Sequence, residues 1–120
     1  MAARAEKDQS LLLDMLLAAQ DARDFVAGMD EATFCTSRLH QNAVIRSLEV
    51  IGEAASHVSP EFRAAHPEIP WREITGMCHR LIHGYAEEDL DIVWSVVTEE
   101  LGPLIATLSP LIPSEGAPEA

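Results

Sequence analysis

The sequence has few of the residues and segments that mark a secreted or membrane-anchored protein. Its 120 residues include only two cysteines, Cys35 and Cys78, too few for a disulfide framework. Uninterrupted apolar runs are only a few residues long, whereas a bilayer-spanning helix needs about 20. No basic-then-apolar leader opens the chain, because Glu6 and Asp8 fall where its apolar part would begin. We therefore expect a cytoplasmic protein with reduced thiols and no contact with a membrane.

Basic residues are also scarce. Eight Lys and Arg stand against 20 Asp and Glu, for a formal net charge of −12. Residues 86–120 carry eight acids and no base, whereas residues 35–85 are neutral and hold all five histidines. Loose electrostatic binding to nucleic acid is disfavoured, because each phosphate contact needs a Lys or Arg. A local phosphate site is expected, if anywhere, in the middle third of the chain.

Strand signals are missing as well: aromatic residues make up 5 %, and no useful window alternates with period two. Apolar residues recur instead at helical spacing. The first predicted helix runs from about 6 to 28, and a short helical turn at 31–35, capped by Asp30, follows it. A second long helix begins at Thr36 or Ser37, and a short helix runs from Pro60 to about His66. Two more long helices begin at Pro70 and at about Asp89, and the last of them has a kink or restart at Pro103. We predict an all-α fold, an antiparallel up-and-down bundle of four long helices plus short ones. It occupies residues 1–112, and residues 113–120 form a disordered tail.

Each long helix has a predicted buried stripe. The stripe of the first helix comprises Leu12, Leu16, Ala19, Val26 and Met29, and that of the second long helix Val44, Leu48, Ile51 and Ala55. In the helix from Pro70 the apolar residues are Ile74, Met77, Cys78 and Leu81, and in the last helix they are Leu90, Val93 or Trp94, Val97, Leu101, Leu104 and Leu108. Trp71 and Trp94 are also expected in the core.

The stretch from Gly76 to Tyr85 concentrates the polar chemistry. His79 and His83 lie four residues apart, so on a helix both imidazoles face the same way, with Arg80 at the border of that face. Two imidazoles and a guanidinium suit phosphodiester cleavage, in which one histidine takes a proton from the attacking oxygen and another group protonates the leaving oxygen. Arginine stabilises the charge that develops on the phosphorus oxygens. Simpler interpretations stay open, since a helix C-terminus favours histidine without any function, and Cys78 and Tyr85 can serve packing alone.

Two further interpretations concern metal and charge. His79 and His83 could place two ligands on one ion, but no Cys or Glu at suitable spacing completes the shell, so we expect no metal and no cofactor. In the second long helix, Arg46 and Glu49 can form a solvated pair. Alternatively, Arg46 or Glu53 turns inward and supports the His83 face.

Several segments in one order resemble a known family. The run from Gln41 to Ala55, QNAVIRSLEVIGEAA, resembles the second helix of the HepT-like proteins of the HEPN superfamily. The resemblance continues through PEIPWREI at 67–74, RLIHGY at 80–85 and DLDIVW at 89–94, and it covers roughly residues 8–108.

This resemblance implies a helical homodimer with a composite active site between the protomers. HepT proteins are toxins of two-gene, type VII-like toxin–antitoxin modules and cleave RNA without metal. Their antitoxin is a minimal nucleotidyltransferase that transfers AMP onto a tyrosine of the motif R-x-x-x-x-H-x-Y. His83 and Tyr85 occupy the histidine and tyrosine positions, so the resemblance makes Tyr85 the AMP acceptor.

The chain departs from this motif at its first position. The motif arginine falls on Cys78, and the polar residue after it falls on His79. A thiol offers no fixed fork of donors and no permanent charge, and losing one such donor typically costs about 10²–10³ in rate. We expect either a slow nuclease acting on tRNA or mRNA, in which His83 is the general base or acid and Arg80 and His79 assist, or a degenerate homologue that only binds the nucleotidyltransferase. Nucleotide binding without cleavage is a third alternative.

Overall fold

The computed structural model describes residues 2–80 and 90–113, without the side chains of Ala2, Ala3 and Cys78. Over these ranges the chain forms helices and turns and no strand, which confirms the predicted all-α class. The helices are α1 (Ala2–Phe25), α2 (Glu31–Cys35), α3 (Arg38–His57), α4 (Pro60–Ala65), α5 (Trp71–Arg80), α6 (Leu90–Ser95) and α7 (Leu101–Leu108). The bundle topology in detail and the homodimer stay predictions, and residues 114–120 of the predicted tail lie outside the described ranges.

Side-chain caps fix several helix starts where the sequence predicts them. Asp30, Ser37 and Ser59 each accept a hydrogen bond from the backbone N–H three residues further on, at the starts of α2, α3 and α4. Pro60 occupies the first turn of α4, where no N–H is required. These three predicted starts are confirmed.

Helix α1 differs from its predicted range of 6–28, since it begins at Ala2 and ends at Phe25. The chain leaves the helix through a turn in which the N–H of Met29 donates to the carbonyl of Val26 at 2.9 Å. Gly28 lies in this turn with φ +77°, a conformation that only glycine adopts at no steric cost. Helical spacing alone therefore placed the end of the helix too late.

The core lies where α1 packs on α3, α3 on α5, and α1 on α7. All four predicted stripe residues of α3 are buried, as are Val93, Val97, Leu101, Leu104 and Leu108. The predicted burial of Leu16, Met29 and Leu90 is wrong in degree, since these residues are only partly buried. Trp71 and Trp94 are also partly buried and pack against the edge of the core. The stripe of α1 is wider than predicted and adds Met15, Ala18 and Ala22, because α1 contacts helices on two sides.

A buried carboxylate joins α1 to the start of α4. Asp8 is only 5 % exposed. Its two oxygens accept hydrogen bonds from the Ser59 backbone N–H at 2.9 Å and from the Ser59 hydroxyl at 2.7 Å. The same hydroxyl oxygen accepts from the N–H of Phe62 at 3.1 Å. One acidic side chain thus orients the cap of a helix that is 51 residues away in sequence.

The last helical run contains the predicted interruption. A π-helical turn, Val96–Glu100, precedes α7, and Pro103 lies three residues beyond it. Proline lacks an N–H and its ring collides with the carbonyl four residues earlier in a regular helix, so the backbone widens before it. The regular helix restarts at Leu101, two residues before the predicted position at Pro103.

This run is also long and apolar. The 22 residues Leu90–Leu111 would be sufficient to cross a membrane by length and composition alone, and 28 % of the most apolar window is buried within the protein. Core helices of soluble proteins meet the same criterion. The predicted absence of a membrane segment therefore stays a prediction.

Candidate functional site

Helix α5 carries the described part of the predicted site. It begins at Trp71, whose indole N–H donates to the carbonyl of His66 at 3.0 Å, and its inner face packs against α3. His79 and Arg80 occupy its last turn, and both are exposed. Cationic groups are favoured there, because the carbonyl end of a helix carries partial negative charge. The described part of the predicted site is therefore one histidine and one arginine, both exposed, in the last turn of a packed helix.

Other predicted site residues fall outside the described ranges. His83 and Tyr85 are among them, so the shared face of His79 and His83 stays a prediction. The backbone of Cys78 is helical, but its side chain is not described, and its expected packing is untested.

Arg46 and Glu53 lie on the surface of α3. Arg46 is 72 % exposed and pairs with Glu49, with 3.5 Å between Nη1 and Oε1, which confirms the predicted pair. Glu53 is also exposed. A pair of this kind contributes little to stability, because water and salt screen it. Neither residue turns inward within one chain, and a supporting role of either at the site stays a prediction.

Beside Arg80 lies a groove between α5 and the run Leu90–Leu108, with a volume of about 520 Å³. We call this cavity the α5–α7 groove. Its apolar lining includes Leu48, Ile51, Ile74, Met77, Ile92 and Val96. The charged residues that line it are Arg80, Glu68, Glu73, Glu99 and Glu100. Helical spacing does not mark these four acids. The excess of acid after residue 85 points to Glu99 and Glu100, but no comparable signal in the sequence marks Glu68 and Glu73.

The acids of this groove lie on two opposite sides. Glu68 and Glu73 belong to the start of α5 and the loop before it, whereas Glu99 and Glu100 belong to the π-helical turn. Hydrogen bonds from its own backbone and from His66 Nδ1, 3.1 Å from Oε2, hold the pKa of Glu68 below its ordinary value. Glu99 accepts a hydrogen bond from the Ser95 hydroxyl at 3.1 Å. The groove is therefore apolar inside and negative at both edges.

Within residues 2–80 and 90–113, no three His, Cys, Asp or Glu side chains come close enough together to hold a metal ion. Cys35 is a free and exposed thiol.

Comparisons with known proteins identify relatives that match most of the chain. A family model described as "Ribonuclease HepT-like" matches residues 15–111. A protein of Thermococcus cleftensis named as a probable ribonuclease HepT is 38 % identical over 98 residues, covering 82 % of this chain and 87 % of the relative. A Methanocaldococcus jannaschii protein named as a candidate RNase is 36 % identical over 93 residues, covering 78 % and 85 %. A similarly named protein of Caldanaerobacter subterraneus is 34 % identical over 90 residues, covering 75 % and 80 %. No solved structure gives a significant match.

The extent of these matches defines the class of protein as an all-helical domain of the HEPN superfamily. The chain belongs to the HepT-like family within it, as the residues from Gln41 to Trp94 indicated.

Proposed function

We propose that this protein is a metal-independent RNA endonuclease, active as a homodimer in the cytoplasm and serving as the toxin of a toxin–antitoxin module. The observation that carries the proposal is membership in a family whose relatives bear ribonuclease names. What supports it in the structure is that His79 and Arg80 are both exposed in the last turn of α5, four and three residues before His83 in the sequence.

In the proposed reaction, His83 takes the proton from the attacking oxygen as it bonds to phosphorus. The bond from phosphorus to the leaving oxygen breaks, and His79 supplies the proton that this oxygen needs. Arg80 stabilises the negative charge on the remaining phosphorus oxygens. The homodimer would bring these residues of two protomers into one cleft.

Regulation is proposed at Tyr85. The antitoxin, a minimal nucleotidyltransferase, would transfer AMP from ATP to the tyrosine hydroxyl, forming one phosphorus–oxygen bond and releasing pyrophosphate. A charged and bulky group two residues from His83 would repel the RNA backbone and fill the cleft. Tyr85→Phe should therefore accept no AMP from a co-expressed nucleotidyltransferase, which intact mass spectrometry would measure.

The cleavage test uses purified protein, tRNA and total RNA in the presence of EDTA. The unmodified protein should cut slowly and His83→Ala not at all, whereas Glu6→Ala, at the other end of the chain, should retain full activity. Equal survival of RNA with the protein and with His83→Ala would contradict the enzymatic proposal.

A second candidate is a degenerate homologue that binds the nucleotidyltransferase without cutting RNA. Cys78 at the position of the family arginine favours this alternative, and so do the acids beside Arg80, because they repel phosphates. Cys78→Arg separates the two candidates. A rise in cleavage of about 10²-fold or more would show that only the arginine is missing, and no change would favour the binding protein.

A further inference from the structure

The α5–α7 groove is an apolar surface that the described chain leaves uncovered. Its lining includes Ile92, which is 37 % exposed, and Met77, which is partly buried. The adjoining run Leu90–Leu111 is apolar enough for a membrane, although only 28 % of its most apolar window is buried inside the protein. Apolar surface of this kind is normally covered by a partner.

The charges on its edges restrict what that partner can be. Glu68 and Glu73 face the groove from one side, and Glu99 and Glu100 face it from the other, with Arg80 as the basic residue among those described. Phosphate groups of RNA would meet four carboxylates for each guanidinium, which disfavours nucleic acid inside the groove. A polypeptide with positive charges on both flanks of an apolar stripe would match both the edges and the lining.

The protein's own segments do not have this character. Residues 81–89 carry three acids and neither Lys nor Arg, and residues 114–120 carry two acids and no base. A second copy that paired groove to groove would bring carboxylates against carboxylates, which is unfavourable. Charge complementarity therefore favours a different, basic polypeptide over these two segments and over a groove-to-groove pair.

We propose that the α5–α7 groove binds an amphipathic helix of a protein partner, with Lys or Arg on both sides of its apolar face. Helices enter such grooves with side chains spaced three and four residues apart. The apolar side chains would contact Met77 and Ile92, and the flanking cations would approach Glu73 on one edge and Glu99 on the other. The proposal goes beyond RNA cleavage and is tested separately from it. Arg80 lines the groove and also belongs to the proposed cleavage site, so a bound helix would compete with RNA at that residue. Loss of the cleavage activity alone would leave it intact.

The test measures fluorescence anisotropy of a labelled peptide titrated with the full-length protein. The probe is a Leu/Ala helix about 18 residues long, sufficient to be partly helical alone, with Lys flanking its leucine stripe. A matched peptide carries Glu in place of Lys. The Lys peptide should bind at least about tenfold more tightly, and added salt should weaken its binding.

Two pairs of variants locate the binding surface. Glu73→Lys combined with Glu99→Lys should weaken binding of the Lys peptide by about tenfold or more. Glu6→Lys combined with Asp24→Lys makes the same change in net charge on exposed positions of α1 and should stay within about twofold. Ile92→Asp should weaken binding, whereas Leu17→Asp, 49 % exposed on α1, should not. Circular dichroism verifies that each variant is folded.

Four results would overturn the proposal. Equal binding of the two peptides would mean non-specific apolar contact, and equal weakening by both charge-reversal pairs would mean bulk attraction only. A labelled RNA that bound better than the Lys peptide and lost affinity on charge reversal at Glu73 and Glu99 would assign the groove to nucleic acid. If the Lys peptide fails to bind and Ile92→Asp converts an oligomer to monomers in light scattering, the groove is instead a contact between copies of this chain.

Discussion

Replacing Asp8 by Ala should destabilise the protein strongly, although the residue lies far from the proposed site. The substitution removes the acceptor of two hydrogen bonds, from the N–H and from the hydroxyl of Ser59. Hydrogen bonds to a charged group contribute about 1.5–3 kcal/mol each, and buried donors left without a partner add to the loss. Water can reach part of Ser59, which is half-buried, so we expect about 2–4 kcal/mol in total.

Urea denaturation followed by far-UV circular dichroism measures this loss. Asp14→Ala is the matched control, because Asp14 lies on the same helix and is exposed, and it should stay within about 0.5 kcal/mol. Asp8→Asn keeps one acceptor oxygen and should fall between the two. An unchanged slope of the free energy of unfolding against urea concentration would show that the variants and the unmodified protein have comparable unfolded states.

A double-mutant cycle with Ser59→Ala then isolates the contact. Ser59→Ala removes the hydroxyl, with its bond to Asp8 and its cap on Phe62, but keeps the backbone N–H that donates to Asp8. The coupling energy therefore reports the hydroxyl contact and should be about 1–3 kcal/mol. A free energy of unfolding for Asp8→Ala within about 0.5 kcal/mol of the unmodified protein would refute the assigned role of this carboxylate.

Three further predictions concern stability. Phe34→Ala should lower the free energy of unfolding, measured by urea denaturation, by about 3–5 kcal/mol. The side chain is 0 % exposed, and its ring centroid lies 5.3 Å from that of Trp94. Phe25→Ala, 41 % exposed, should cost far less. Gly28→Ala should lower the melting temperature, because alanine is strained at a φ of +77°. Gly76→Ala should raise the melting temperature, because it removes the entropic cost of glycine from α5 and the added methyl meets open space. For Asp30, hydrogen bonds from the side chain and then the backbone N–H of Thr33 lower the pKa of the carboxyl. Its ionised form therefore stabilises the fold above the ordinary carboxyl range, and the difference in melting temperature from Asp30→Asn should disappear as the pH falls below about 4.

Much of the fold could be predicted because its signals are local. Asp30, Ser37 and Ser59 define helix starts through bonds to residues three positions away, and the stripe of α3 follows from spacing alone. The end of α1 was placed wrongly, because a turn with positive φ is formed within four residues and leaves the apolar spacing undisturbed.

Long-range contacts explain what the sequence did not reveal. Asp8 resembles any acid in the first turns of a helix, and only its bonds to Ser59, 51 residues away, distinguish it. Likewise the four acids of the α5–α7 groove are spread over 33 positions from Glu68 to Glu100 and come together only through packing. For the proposed site, helical spacing singled out His83 together with His79, whereas the role predicted for Tyr85 came from the family motif.

Because of the π-helical turn at Val96–Glu100, the helical run Leu90–Leu108 should tolerate the deletion of one residue, which a regular helix such as α3 should not. Each turn of this kind holds one residue more than the regular helix. Deletion of a single residue such as Thr98, which is exposed, could be absorbed by tightening to regular geometry, leaving Leu104 and Leu108 in their present orientation. The same deletion in the middle of α3 would rotate every later side chain by about 100° and turn Ile51 and Ala55 away from α1. Homologous chains that differ in length by one residue are therefore expected to differ at this turn.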